Sequence, residues 1–320
     1  MRAFLTEAFD SPAKVQELPK PIPDKGEARI RIKACALNFA DLLMQKGTYQ
    51  DTPALPFVGG LEIAGIVDDL GPDTDGPTIG ARVAAFGGKG GFAEFGCIDA
   101  NRMVILPDDM SFEDAAAFQV AYGTSHVALN YRAQMQPGET LLVLGAAGGV
   151  GLTAIEVGKL MGARVIACAR GAEKLEIAGQ AGADHLIDSD TQDIRAEVLA
   201  LGGTDVVYDP IGGDQWKAAF RACNPDARLI PIGFAGGEVP QIPANHVMVK
   251  NLTILGVYWG AYLKFKPQVV TDSMRTLFDW YSDGKLKPHI SHRFPLEDTA
   301  EALATLKARK STGKVVVTMD

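Results

Sequence analysis

The chain has 320 residues, of which 47% are hydrophobic and 22% are charged, as is usual for a globular protein of two domains. Its formal net charge is −8 and it has no basic run, which argues against nucleic acid or an anionic membrane surface as a partner. The sequence shows no signal peptide or membrane span, and its four cysteines form no short pair. We therefore expect a cytoplasmic protein with reduced thiols.

The pattern of the first 120 or so residues is typical of a compact, mostly β domain. Residues 28–36 alternate basic and apolar side chains, as a half-buried strand does, and residues 92–98 resemble another strand. Between them, Pro and Gly punctuate residues 53–80. Short strands joined by tight turns are therefore predicted for this part of the chain.

The character changes near residue 112, where helical spacing of apolar residues begins and continues over residues 115–132. Apolar strands and amphipathic helices then alternate, which is typical of a doubly wound parallel sheet in an α/β fold. The predicted strands are 140–144, 164–167, 185–188, 205–209, 228–232 and, as the last, 251–258. The predicted helices are 152–161, 173–181, 194–201 and 216–223.

The remaining segment predicts a helix at 272–282, a strand near Ile290, a helix at 299–308 and a final strand at 314–318. It is too short to fold alone, so we expect it to return to the N-terminal domain. The predicted domains are residues 1–122, completed by 263–320, and residues 123–262.

A glycine-rich loop lies between the strand at 140–144 and the helix that follows it, and reads Gly-Ala-Ala-Gly-Gly-Val-Gly over residues 145–151. Glycines in such a loop allow a tight turn, a close backbone approach to a pyrophosphate and close packing of the helix. The helix N-terminus then presents N–H groups to phosphate. We expect Ala147, Gly148, Gly149 and Val150 to bind a dinucleotide; the alternative is a purely structural turn.

The end of the next strand bears on which nucleotide is bound. NAD sites usually carry an acidic residue there, whereas this chain has Arg170, with Lys174 one helical turn later. Two cations can pair with a 2′-phosphate that a carboxylate would repel. NADPH is therefore the expected cofactor, and the alternative is a solvated pair at the start of a helix.

Four motifs resemble the quinone oxidoreductase branch of the medium-chain dehydrogenase/reductase superfamily, the group related to zeta-crystallin. The loop at 146–151 follows that branch's A-A-x-G-G-V-G from its second position on, and Asn38-x-x-Asp41 with Lys46-Gly47-Thr48-Tyr49 resembles its N-x-x-D-x-x-x-R-x-G-x-Y, with Lys46 one position after the place of the Arg. Residues 209–213 and 313–317 resemble its D-x-V-G-G turn and its final strand. The resemblance covers nearly the whole chain.

The resemblance implies a GroES-like β domain and a Rossmann domain, with the active site in the cleft between them. It also implies a homodimer paired through an edge strand of the nucleotide domain, near residues 249–258. The reaction implied is hydride transfer from NADPH to a quinone.

The same superfamily includes zinc-dependent alcohol dehydrogenases, so the residues at their ligand positions indicate whether this chain binds zinc. Where those enzymes have a Cys ligand this chain has Asn38, and where they have the His of G-H-E it has Leu61. No cysteine replaces the third ligand near Gln119. Since catalytic zinc requires thiolate, imidazole or carboxylate ligands, we expect no metal.

By resemblance, Asn38, Asp41 and Tyr49 belong to the catalytic centre. Asn38 could donate to a quinone oxygen as it gains charge, and Tyr49 could hydrogen-bond or stack. Alternatively, Asn38 caps the following helix and Tyr49 fills the core. Asp41 is expected to fix loop geometry.

The resemblance also assigns residues to the cofactor. Thr124, Gly233 and Phe234 are expected near the nicotinamide carboxamide, and Lys314 near the phosphates or ribose. Ser189 stands where relatives have a Tyr that grips the 2′-phosphate, beside Asp188. This difference weakens the predicted phosphate pocket, and Arg170 could compensate for it.

Two other functions fit the same residues. One is NADPH-dependent reduction of an activated C=C bond in an enal or enone, which uses the same cleft and hydride geometry. The other is an NADPH-binding protein without turnover, because the chemistry requires no recognisable nucleophile or base.

Overall fold

The computed structural model describes residues 1–319, and the chain forms two compact units. Unit 1 comprises residues 1–120 and the segment from residue 288 onward, and unit 2 comprises residues 121–287. The functional division at residues 122 and 263 stays a prediction.

The strands are β1 Arg2–Thr6, β2 Lys14–Glu17, β3 Glu27–Ala36, β4 Phe57–Val58, β5 Glu62–Leu70, β6 Arg82–Phe86, β7 Phe95–Asp99, β8 Met103–Ile105, β9 Thr140–Leu144, β10 Arg164–Ala169, β11 His185–Asp188, β12 Thr204–Asp209, β13 Cys223–Pro231, β14 Thr253–Ile254, β15 Ile290–Pro295 and β16 Lys314–Thr318. The helices are α1 Phe39–Gln45, α2 Phe112–His126, α3 Gly149–Leu160, α4 Ala172–Gln180, α5 Ile194–Ala200, α6 Gly213–Ala222, α7 Ala244–Lys250, α8 Trp259–Phe265, α9 Pro267–Ser282 and α10 Thr299–Lys307. A π-helical turn, Val127–Arg132, continues α2. Within residues 1–319 we find no helix with the length and apolar character needed to cross a bilayer.

Unit 2 is built on a parallel six-stranded sheet in the order β11-β10-β9-β12-β13-β14. The central strand β9 is buried on both faces, which explains why its sequence is a continuous apolar run rather than an alternating one. The strand order reverses between β9 and β12, and ligands of open α/β sheets bind beyond the carboxyl ends of the strands at such a point. The predicted doubly wound sheet is confirmed.

Unit 1 contains a sheet in the order β15-β16-β3-β5-β6-β8, with β7 also paired to β3, and a small sheet β2-β1-β4. In β3, Ile30 and Ile32 face the core while Arg31 between them is exposed, as the alternating pattern predicts. Strand β16 pairs antiparallel with β3 and places Val316 opposite Ala36. The C-terminal strand thus returns to the N-terminal sheet, as expected.

The prediction of one strand over residues 251–258 is wrong. Asn251 adopts the left-handed conformation that ends α7, and β14 covers just Thr253–Ile254 before the chain leaves the sheet. Tyr258 is then the N-cap of α8. A short edge strand between two helices carries too little periodicity to be told from a longer one.

Candidate active site

Asn38 lies where β3 ends and α1 begins, with the extended backbone of an N-cap residue. Its backbone N–H donates to Asp41 Oδ2 at 2.8 Å, closing one half of a capping box. Its side-chain amide contacts two charged groups. Nδ2 donates to Glu62 Oε1 at 2.9 Å, and Oδ1 accepts from Lys314 Nζ at 2.9 Å. Asn38 therefore caps α1 and also belongs to a polar cluster.

Glu62 is the centre of this cluster, and none of its surface is exposed. Oε1 accepts from Lys314 Nζ at 2.7 Å as well as from Asn38, and Oε2 accepts from the Val120 backbone N–H at 2.9 Å. The carboxylate thus joins β5, β16, the start of α1 and α2. We call Asn38, Glu62 and Lys314 the polar triad.

Asp41 is buried one helical turn after Asn38. Besides the Asn38 N–H, it accepts the Gly60 N–H at Oδ1 over 3.1 Å. Burial raises the pKa of its carboxyl to about 7, although both N–H donors and Lys314 lower it in part. Gly60 has a φ of +89°, and a Cβ there would meet Phe92 N at 2.7 Å. The carboxyl therefore fixes a glycine turn and the start of α1, in keeping with the geometric role expected for Asp41.

Tyr49 is half-buried and packs against a small apolar cluster of Met44, Phe57 and Leu61. The packing expected for Tyr49 is therefore present. The contact of its hydroxyl with an acceptor stays a prediction. Leu61 occupies the interior of this cluster, so its position carries apolar atoms where zinc relatives carry a ligand.

The glycine-rich loop in unit 2 connects β9 to α3, as its sequence predicts. Ala146 N–H donates to Cys168 O at 3.0 Å and fixes the loop to β10. A Cβ on Gly151 would lie 2.3 Å from Gly145 O, so the helix packs against the loop at a distance that excludes a side chain. Gly148 is exposed and begins α3, while Ala147 is buried.

This arrangement fits a dinucleotide pyrophosphate. The first N–H groups of a helix have no intrahelical partner and carry the positive end of the helix dipole. Gly148 is the N-cap of α3, Gly149 and Val150 are its first two residues, and all three follow the carboxyl end of β9. They would hold the phosphates, as the sequence analysis predicts.

The predicted 2′-phosphate residues lie at the adjacent ends of β10 and β11, where Ala169 pairs with Asp188. Arg170 follows Ala169, and its Nε lies 3.7 Å from Asp190 Oδ1 in a half-exposed ion pair. Ser189 Oγ donates to Ala169 O at 3.4 Å. The structure thus brings Arg170 and Ser189 to the same edge, and places a carboxylate beside the cation.

The turn after β12 is organised by a buried carboxylate. Asp209 Oδ1 accepts the backbone N–H groups of Ile211 at 2.7 Å and Gly212 at 2.9 Å. Asp209 O accepts from Gly233 N–H at 3.3 Å, which joins this turn to the segment after β13. Phe234 in that segment is exposed, whereas Thr124 in α2 is buried. Their contact with a nicotinamide stays a prediction.

Lys314 has a different setting from the one predicted for it. It begins β16 in unit 1, is buried, and donates to Asn38 and Glu62. Its predicted contact with cofactor phosphates or ribose is untested. The sequence analysis overlooked Glu62 and Asp209 as organising residues. The signal was a carboxylate at one end of a strand, next to apolar residues, because such a carboxylate requires donors nearby when it is buried.

The chain is similar in sequence and fold to known proteins. Residues 149–280 match the zinc-binding dehydrogenase family and residues 24–108 match the alcohol dehydrogenase GroES-like domain. A quinone oxidoreductase-like protein 2 homolog from Nematostella vectensis is 39% identical over 297 residues, covering 91% of this chain and 81% of that protein.

Two solved quinone oxidoreductases, each crystallised in complex with NADPH, superpose over the whole chain. The one from Thermus thermophilus has a TM-score of 0.88 and 32% identity, and covers 100% of both chains. The one from Escherichia coli has a TM-score of 0.92 and 26% identity, and also covers 100% of both chains.

The chain belongs to the quinone oxidoreductase branch of the medium-chain dehydrogenase/reductase superfamily. The predicted family is therefore confirmed, and so is the fold class, a GroES-like β domain with a Rossmann domain. Although one matching family is named for zinc, residues 1–319 contain no group of three or more His, Cys, Asp or Glu placed to hold a metal ion.

Asp41 predicts a pH-dependent stability for this family member. Its carboxyl has a pKa of about 7 in the folded protein against an ordinary 3.8, so between these values the folded chain keeps a proton that the unfolded chain releases. This contribution is complete below about pH 4 and is lost as the pH rises through about 7, at about 1.4 kcal/mol per unit. In urea titrations, the free energy of unfolding should fall less steeply between about pH 5 and about pH 7 for Asp41→Asn than for the wild type.

The matched control is Asp73→Asn, since Asp73 is 84% exposed in its ion pair. For this variant the free energy of unfolding should fall with pH as steeply as for the wild type. Equal slopes for the wild type and Asp41→Asn would contradict the assigned proton.

Proposed function

We propose that this chain is a zinc-independent, NADPH-dependent quinone oxidoreductase. The observation that carries the proposal is the polar triad, in which the Asn38 amide stands where zinc relatives have a metal ligand and is hydrogen-bonded to a carboxylate and an ammonium. The family membership and the dinucleotide loop support it. The cytoplasm is the compartment we propose, in keeping with four free cysteines.

Bound NADPH would supply a hydride to the acceptor. Unit 2 would hold the pyrophosphate with the first turn of α3, and Arg170 with Lys174 would pair with the 2′-phosphate. Thr124, Gly233 and Phe234 would orient the nicotinamide. Each of these residues binds or orients, and none needs to transfer a proton.

Unit 1 would supply the groups that meet the acceptor. A quinone oxygen gains negative charge as hydride arrives, and an amide N–H donor stabilises that charge. Asn38 Nδ2 has one hydrogen bond to Glu62 at 2.9 Å and a longer contact of 3.4 Å to Ala36 O, so its second N–H is weakly held. Asn38 would donate this N–H, and Tyr49 would stack on or hydrogen-bond the acceptor.

The assignment predicts metal-independent turnover. Absorbance of NADPH should fall rapidly when the purified protein meets 1,4-benzoquinone, and a chelator should leave the rate unchanged because no residue role requires a metal. The same assay with a small 2-alkenal is the comparison. Turnover of the alkenal alone would make the protein a C=C reductase, and tight NADPH binding without turnover of either would make it a binding protein.

The proposed pairing of Arg170 with the 2′-phosphate predicts a preference for NADPH over NADH. Removing a cation that pairs with phosphate costs about 1.5–3 kcal/mol, or roughly ten- to a hundredfold in affinity. Arg170→Ala should therefore weaken NADPH binding by about that factor, measured by fluorescence titration, and change NADH binding little.

The control is Arg195→Ala, a cation of α5 outside the proposed site. It should leave both affinities as they are. An equal loss for NADH and NADPH in Arg170→Ala would mean that this residue does not read the 2′-phosphate.

The edge of the unit 2 sheet predicts a homodimer. Strand β14 ends the sheet, and Met248 and Val249 of the preceding helix α7 are 72% and 74% exposed. Exposed apolar side chains beside a sheet edge favour association. Sedimentation should give about 68 kDa, twice the 34.0 kDa of one chain, and Val249→Asp should shift it toward the monomer. A wild-type mass of one chain would contradict the dimer.

A further inference from the structure

The ion pair between Glu62 and Lys314 is unusually deeply buried. The Nζ to Oε1 distance is 2.7 Å, and the side chains are 0% and 7% exposed. Taking both charges out of water costs much of what their attraction returns, and apolar replacements for such pairs are often equally stable. Stability alone therefore does not explain why the pair is present.

The two charges act on the Asn38 amide in opposite ways. An ammonium has donors and no acceptor, and a carboxylate has acceptors and no donor. Asn38 Oδ1 must therefore face Lys314, and Nδ2 must face Glu62, as their 2.9 Å distances show. A rotation of the amide by half a turn would bring its NH₂ against the ammonium and its oxygen against the carboxylate.

The rest of the residue is held as well. Asp41 accepts the Asn38 backbone N–H, and Glu62 is fixed by the Val120 N–H. The amide can thus neither turn nor translate without breaking a charge-assisted hydrogen bond. Preorganised donors of this kind stabilise a developing charge without reorganisation cost.

We propose that Glu62 and Lys314 are positioning residues, which hold the Asn38 amide in one orientation and so present its second Nδ2–H to the acceptor oxygen. The inference rests on the proposed function, since Asn38 is the group that meets the acceptor. Lys314 also polarises the amide, because a hydrogen bond accepted at Oδ1 strengthens the N–H as a donor. Lys314 therefore acts through Asn38 and not on the cofactor.

Variants of the pair test this role. Lys314→Met leaves Glu62 as an uncompensated buried charge and can prevent folding, so the principal variant is the neutral Glu62→Gln/Lys314→Met. The glutamine oxygen is the acceptor that the Val120 N–H requires, so the glutamine NH₂ faces Asn38 and favours the reversed orientation of the Asn38 amide. With 1,4-benzoquinone, kcat/KM should fall roughly ten- to a hundredfold, while NADPH affinity by fluorescence titration stays within about twofold. The single variant Lys314→Arg, which keeps a cation beside Glu62, should lose less kcat/KM than Glu62→Gln/Lys314→Met.

A double-mutant comparison separates action through Asn38 from a general effect. Asn38→Ala and Asn38→Ala/Glu62→Gln/Lys314→Met should have the same kcat/KM within about twofold, because residues that act as one unit are not additive. Losses that multiply, or an NADPH affinity that falls in Glu62→Gln/Lys314→Met, would overturn the inference. The control is Lys20→Met, which removes an exposed ion pair with Asp68 in unit 1 and should behave as the wild type.

A second readout does not depend on any substrate. The Asn38 side-chain amide signals, identified in ¹H–¹⁵N spectra by their loss in Asn38→Ala, should be shifted and slow to exchange in the wild type. They should move toward ordinary amide positions in Glu62→Gln/Lys314→Met. Signals that stay unchanged in the double variant would overturn the inference, even if the wild type reduced no quinone. A wild type that shows the expected shifts but reduces no quinone would overturn only the proposed function.

Discussion

The buried carboxylate of Glu62 is the interaction on which unit 1 depends. Three other segments that are far apart in sequence bring donors to it: Asn38 after the end of β3, Val120 in α2 and Lys314 at the start of β16. A carboxylate without exposure requires such donors, because an unpaired buried charge is among the most costly features a protein can hold. The same group therefore fixes how these segments meet and sets the geometry of the candidate site.

In unit 2 the important constraint is the close packing of helix α3 against the glycine-rich loop, which leaves backbone N–H groups accessible to an anion. The tight packing of α3 against the loop requires Gly151, since a Cβ there would meet Gly145 O at 2.3 Å. The same packing directs the start of α3 toward the carboxyl edge of the sheet, next to the reversal of strand order between β9 and β12. Arg170 stands at that edge with Asp190 beside it, so a 2′-phosphate would have to compete with a carboxylate for the cation. Any preference for a cofactor with a 2′-phosphate would therefore depend on both residues.

Sequence alone predicted the elements whose periodicity or composition is strong. Strand β9 was predicted with its observed bounds, and β16 was predicted as the C-terminal strand that completes the N-terminal domain. Helix α7 has seven residues and was not predicted, and α1, which is equally short, was expected just as the helix that Asn38 would cap, without bounds. Two turns are too few to show a clear pattern. Asn38 and Asp41 were identified as site residues from their motif. The link from Asn38 to Lys314 spans 276 positions and could not be read from spacing, because it arises from the antiparallel pairing of β3 with β16.

The contrast with a metal site explains how one fold can change its chemistry. A zinc ion would bring a positive charge and fix its ligands in one geometry. In this chain Leu61 has joined an apolar cluster, and the positive charge is that of Lys314, which reaches Asn38 through a hydrogen bond of 2.9 Å. An ammonium cannot polarise an alcohol oxygen as a Lewis acid does, but it can hold and polarise an amide. An acceptor that needs a single well-aimed N–H donor suits this arrangement, and a quinone or an activated carbonyl is such an acceptor. On the proposed function, the replacement of metal ligands would change the class of substrate, while the dinucleotide loop would keep the same role.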